Sequence, residues 1–109
     1  MQSDNELFEL INSKLYTAVI GDILDRMGRT RQFLPPRIRP LKPDMKLAGR
    51  AMPVVTSDVF GPPSKPFGLL TEALDQLEPG EVYLAPDNVN LAAKWGEILT
   101  ATSQQRVAV

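Results

Sequence analysis

Residues 78–85 read Glu78-Pro79-Gly80-Glu81-Val82-Tyr83-Leu84-Ala85, a turn followed by a short apolar run suited to a buried strand. Immediately upstream, Leu69, Leu70, Ala73, Leu74 and Leu77 recur at helical spacing, and Glu78-Pro79-Gly80 terminates that stripe. Before the helix lies a Pro-rich loop over residues 57–66, and before the loop residues 48–56 carry Ala51, Met52, Val54 and Val55. That composition predicts a strand, with Pro53 confining it to an edge or a bulge. The order is therefore strand, loop, helix, turn, strand. A connection of this length favours a parallel pair joined by a right-handed crossover, so the predicted class is α/β, helices packed on a small, mainly parallel sheet.

The N-terminal part is helical by pattern. Ser3-Asp4-Asn5-Glu6 fits a capping box, and Leu7, Phe8, Leu10, Ile11 and Leu15 follow it, predicting a helix over residues 4–14. Thr17 can cap a second helix whose Ile20, Ile23, Leu24 and Met27 fall on one face, with Gly28 placed to end it. From Gly28 to Leu47 the periodicity fails. Pro35, Pro36, Pro40 and Pro43 interrupt hydrogen bonding there, while Phe33, Leu34, Ile38 and Leu41 predict a connector that packs along the surface.

The 109 residues hold 12 Lys+Arg against 13 Asp+Glu, a net charge of −1, with no Cys and no His. One domain with a modest core is expected. Without a basic block there is no electrostatic attraction to nucleic-acid phosphates. Without Cys or His there is no disulfide framework, thiol nucleophile, imidazole zinc site or Ser-His-Asp triad, so any metal must sit on oxygen, which suits Mg²⁺, Mn²⁺ or Ca²⁺. No signal-peptide core or membrane-length apolar run appears, which predicts a cytoplasmic protein.

No self-sufficient catalytic motif is present. The suggestive segment is Gly96-Glu97-Ile98-Leu99, which follows a polar loop (Asp87-Asn88-Val89-Asn90) that itself follows a strand. In parallel sheets ligands gather at the carboxyl ends of strands, where helix N-termini present free N–H groups to anions. Two arrangements compete. In one, favoured by periodicity alone, a helix starts near Leu91 under an Asn90 cap, buries Leu91, Trp95 and Ile98, and points Glu97 to water. In the other the helix starts near Gly96, which frees the amides of Ile98 and Leu99 for a carboxylate and sets Glu97 beside a metal. They exclude one another, because a helix running from Leu91 ties those amides to the carbonyls of Lys94 and Trp95.

Other candidates have plainer readings. Asp22 and Asp25 lie on the polar side of the second helix, and Arg37, Arg39 and Arg50 form no run. Trp95 reads as a core or subunit-contact residue, and Asn88 and Asn90 as turn and cap formers. Residues 103–109 form a tail whose Val107-Ala108-Val109 looks like the beginning of a strand.

Leu15-Tyr16-Thr17-Ala18-Val19-Ile20-Gly21-Asp22-Ile23-Leu24-Asp25-Arg26-Met27-Gly28 resembles the opening helix of the RraA-like, or 4-hydroxy-4-methyl-2-oxoglutarate aldolase, family. Ile38-Arg39-Pro40-Leu41 and Leu47-Ala48-Gly49-Arg50-Ala51 are similar to the family's next segments, the stretch from Ala73 to Val82 to its helix-turn-strand, and Trp95-Gly96-Glu97-Ile98-Leu99 to its active-site segment. The resemblance implies the swivelling β/β/α type of fold. It also implies a lyase that cleaves C–C bonds of pyruvate-derived 2-oxo acids, including oxaloacetate, and uses Mg²⁺ or Mn²⁺. Glu97 would hold the cation through water, and the backbone around Gly96, Ile98 and Leu99 would receive the pyruvate carboxylate. The family further implies homotrimers. Some members are instead non-catalytic regulators that bind proteins, including ribonuclease E. The family pattern places an Arg-Asp pair about twenty residues past this acidic position, the Arg neutralising substrate and the Asp ligating metal. Only 12 residues follow Glu97 here, and the family's glycine-rich loop is replaced at Asp87 to Asn90. The chain is thus expected to be the N-terminal half or so of such a domain, incomplete, with impaired catalysis and an unpaired strand edge after Val109.

Overall fold

The computed structural model describes residues 3–57, 60–62, 64–86 and 95–107. They form α1 (Asp4–Lys14), α2 (Thr17–Arg26), β1 (Arg50–Pro53), α3 (Gly68–Asp75), β2 (Glu81–Leu84) and α4 (Glu97–Val107). The class is α/β, as expected. The chain divides into two compact units, Met1–Ala48 and Gly49–Val109.

In the first unit local chemistry sets the helix ends. The predicted capping box is present: Ser3 Oγ accepts from the Glu6 amide at 3.4 Å, and the Ser3 amide donates to Glu6 Oε2 at 3.0 Å. Two orphan donors of the first turn are thereby satisfied. Leu15 and Tyr16 are extended, which separates α1 from α2. Tyr16, not Thr17, occupies the cap position of α2; Thr17 is already helical, and no side chain caps this end. At the other end Gly28 adopts φ +76°. Its amide donates to Asp25 O at 2.9 Å and the Arg29 amide to Leu24 O at 2.8 Å. These are the paired bonds of a Schellman stop, which needs a left-handed residue between them. The connector beyond touches the helices at few points. The Phe33 ring lies against Gly21, which is buried, and Lys46 Nζ donates to Leu15 O at 3.1 Å. Phe33, Leu34, Ile38 and Leu41 are all exposed, so the expected packing is reduced to the contact of the Phe33 ring with Gly21.

In the second unit β1 and β2 pair in parallel, Arg50 opposite Glu81 and Pro53 opposite Leu84. The Arg50 amide donates to Gly80 O at 2.8 Å and the Val54 amide to Leu84 O at 2.9 Å. In a parallel ladder alternate residues face the neighbour, so residues 50, 52 and 54 donate toward β2 and Pro53 sits where no donor is needed. β1 is shorter than the strand read over residues 48–56, because pairing ends with β2. Helix α3 supplies the crossover, closed by the Gln76 and Leu77 amides bonding to Ala73 O and Leu74 O and by Gly80 at φ +84°. Leu74 and Leu77, from the stripe that predicted α3, are the buried hydrophobic side chains among the described residues. Helix α4 packs on α3. Near its C-terminus Arg106 bonds the Asp75 carboxylate at 2.8 Å and the Asp75 carbonyl at 2.9 Å, clasping the end of α3. Both side chains are exposed, so the ion pair contributes about 0–1 kcal/mol. Residues 103–107 are helical, so Val107 does not begin the strand read over Val107-Ala108-Val109; Ala108 and Val109 lie outside the described residues. Thr102 and Ser103 bond back to Ile98 O and Leu99 O, and Arg106 holds the last turn in place. Among the described residues no helix is long and apolar enough to cross a membrane.

From β2 the half-buried Tyr83 ring meets Trp95, centroids 4.9 Å apart and planes at 43°. Burial raises the Tyr83 pKa above its ordinary value of 10.0.

Two outcomes follow from these contacts. A Cβ at Gly28 would meet nothing, so Gly28→Ala tests backbone conformation alone and should lower stability by about 1 kcal/mol in urea unfolding. A Cβ at Gly49 would come 2.5 Å from Gly80 O, a backbone atom in the ladder that cannot step aside, so Gly49→Ala should destabilise more than Gly28→Ala. For Tyr83 the sign is fixed by the raised pKa. Stability from the protonated phenol is fully present below pH 10 and falls as pH climbs through the higher folded value, since the unfolded chain ionises first. Urea midpoints measured on either side of about pH 10 should therefore fall more steeply for the native chain than for Tyr83→Phe.

Candidate functional site

The segment Gly96-Glu97-Ile98-Leu99 stands at the start of α4. Trp95 and Gly96 are not helical, and Glu97 is the first helical residue. The arrangement that periodicity favoured, a helix running unbroken from Leu91 through Leu99, is therefore incorrect in this region. Residues 87–94, which include the polar loop and the candidates Asn88 and Asn90, lie outside the described residues.

The first hydrogen bond of α4 runs from the Thr100 amide to Gly96 O at 3.0 Å. The amides of Glu97, Ile98 and Leu99 precede it and have no acceptor within the helix. They carry the positive end of the helix dipole, worth about 0.3–1 kcal/mol to an anion at an exposed site. Gly96 is exposed and has no positive φ, and a Cβ there would meet nothing within 4 Å, so its backbone is open to close approach. Glu97 is exposed in the first turn, where the dipole favours its charge.

Behind this turn a short network holds Trp95. Its Nε1 donates to Thr100 Oγ1 at 2.8 Å, and that hydroxyl donates to Gly96 O at 3.1 Å. Trp95 is 39% exposed, which removes the core half of the core-or-subunit-contact reading. Tyr83 and Thr100 were missed by sequence reasoning. Thr100 carries no motif, and Tyr83 was legible only as strand.

The side chains of Ile98, Leu99 and Thr102 also line an apolar groove of about 300 Å³ against Phe67, Thr71 and Leu74 of the α3 side. Phe67, at the cap of α3, has φ +56°, an unusual conformation for a bulky residue. Among the described residues no three His, Cys, Asp or Glu side chains converge. The donors in hand at this helix start amount to one carboxylate, which fits an outer role toward a cation through water and not a cation site by itself. Asp22, Asp25, Arg37 and Arg39 are exposed and lie in the first unit. Arg50 begins β1.

Comparison with known proteins returned no matching curated protein and no matching solved structure. The profile of the RraA-like family, described as Aldolase/RraA, matches residues 17–108, a span that contains α2, β1, α3, β2, α4 and the open turn at Gly96. This match covers most of the sequence, and the chain belongs to the RraA-like family.

Proposed function

We propose that the start of α4 receives the carboxylate of a 2-oxo acid in a divalent-metal-dependent lyase of the 4-hydroxy-4-methyl-2-oxoglutarate aldolase and oxaloacetate decarboxylase type. The observation that carries this reading is the helix start itself: α4 begins at Glu97, and among the described residues its first three amides have no acceptor and stand beside an acidic side chain.

The charges make the pairing informative. The amides of Ile98 and Leu99 attract an anion, yet Glu97 repels one by about 1 kcal/mol at 4 Å in water and by more as water is excluded. An anion-receiving turn with a carboxylate in it is coherent once a cation lies between the two negative groups. Glu97 would hold such a cation, Mg²⁺ or Mn²⁺, through water, and the cation would supply Lewis-acid stabilisation of the negative charge that C–C cleavage beside a 2-oxo acid develops. Gly96 leaves room for the substrate carboxylate, Ile98 and Leu99 orient it through N–H groups, and Glu97 holds cation-bound water. These residues are assigned binding and orientation.

A second reading has its own support. In the second unit Val55 and Phe60 are 92% and 104% exposed, and large apolar side chains in water favour association. A non-catalytic regulator that binds proteins such as ribonuclease E would use such a surface, as would a homotrimer of this chain.

The test uses the single tryptophan, Trp95, beside Gly96. Oxalate, a planar dianion shaped like the pyruvate enolate, is titrated with Mg²⁺ and Trp95 emission recorded. A saturable change that EDTA abolishes and Glu97→Ala weakens about tenfold supports the enzyme reading. A flat titration of the native chain overturns it, and a stoichiometric protein partner recovered with the same chain would then favour the regulator.

A further inference from the structure

We propose that the Trp95–Thr100 hydrogen bond is the stop that fixes where α4 begins, making Trp95 and Thr100 positioning residues for the open amides of Glu97, Ile98 and Leu99. What those amides receive rests on the reading above. The stop itself rests on geometry.

Residues five apart on a continuous helix are rotated by about 140° and separated by about 7.5 Å along the axis, so their side chains do not face one another. Trp95 and Thr100 are five apart, and their side chains are bonded at 2.8 Å. That bond exists only if the backbone at Trp95 leaves the helical path and lets the indole fold back over the first turn. The bonded arrangement and a helix continued through Trp95 are therefore alternatives. In the continued helix the Ile98 and Leu99 amides are consumed by carbonyls one turn upstream; in the observed one they are open.

Three groups cooperate in the choice. The Thr100 hydroxyl has one proton, spent on Gly96 O, and lone pairs that accept from the indole N–H, so it couples the helix's first carbonyl to the ring. Tyr83, on the strand leading toward this segment, braces the same ring. Gly96 makes continuation unfavourable by about 1 kcal/mol relative to a better helix former. Against them works the apolar period of Leu91, Trp95 and Ile98. The balance is close enough for one hydrogen bond, about 1 kcal/mol, to decide it.

Amide hydrogen exchange by NMR on the full chain reads the helix start directly. Trp95→Phe keeps a ring against Tyr83 and removes the donor; Thr100→Val keeps the volume and removes the hydroxyl; Thr100→Ser restores it. Exchange at Ile98 and Leu99 should be fast in the native chain and in Thr100→Ser and slower in the other two, with Trp95 emission shifted in Thr100→Val and normal in Thr100→Ser. The double variant should do no more than either single one. Oxalate affinity with Mg²⁺ should fall about fivefold in Thr100→Val and recover in Thr100→Ser. Unchanged exchange in both Trp95→Phe and Thr100→Val overturns the stop, and slowed exchange with unchanged oxalate affinity overturns the positioning role. If exchange responds as stated while the native chain ignores oxalate, the stop stands and the ligand reading falls. Should Thr100→Val fail to fold, Trp95→Phe carries the exchange readout, and oxalate affinity in that variant is read by calorimetry.

Discussion

Parallel pairing of β1 with β2 governs the second unit. Two strands running the same way cannot be joined by a tight turn, so the chain from Pro53 to Glu81 must travel back along the sheet, and α3 is what makes that return. The strand beginnings then meet at close quarters, with Gly49 under Gly80 O and the Arg50 amide bonded to that same oxygen. In sequence the start of α4 follows the carboxyl end of β2, and parallel folds gather ligands beyond strand ends of that kind. Tyr83 carries that geometry into the site, being the ladder partner of Met52 and the ring against Trp95.

Features set by near neighbours in sequence were the legible ones. Ser3 with Glu6 and Gly28 after Met27 each complete their hydrogen bonds within five residues, so spacing alone was enough to place α1 and the end of α2. The α3 stripe was equally clear, because Leu74 and Leu77 are buried and the turn residues behind them admit no continuation. Thr17 was misplaced by one position because a hydroxyl near a helix start looks like a cap whether or not it bonds, and here the extended backbone of Tyr16 ends the interhelix link without side-chain help.

The candidate site was half legible, and for a definite reason. The sequence named Gly96, Glu97, Ile98 and Leu99 and reduced the question to one helix boundary, but hydrophobic period pointed across that boundary. Period reports which residues would share a face if the helix continued; it contains nothing about an indole turning back onto a hydroxyl five positions on, or about a tyrosine twelve residues upstream. The C-terminal residues failed in the complementary way. Val107 has strand-like composition, yet it ends a helix in which Thr102 and Ser103 bond back to Ile98 O and Leu99 O and Arg106 reaches Asp75.

The two ends of α4 are fastened differently, and this separates stability from recognition. At its C-terminal end Arg106 supplies a positive charge and holds the carbonyl that closes α3, so charge and dipole agree there and the contact is structural. At the N-terminal end Glu97 satisfies the dipole by charge, but its side chain forms no cap of the kind Ser3 and Glu6 build on α1, and the three leading amides are left open. A helix whose only requirement was to persist would be served by a capping side chain at Gly96, where there is space for one. Glycine in that place, with the opening enforced from behind by Trp95 and Thr100, keeps the donors available at some expense of helix stability. That arrangement is intelligible for a turn that binds something negative together with the cation that reconciles it to Glu97.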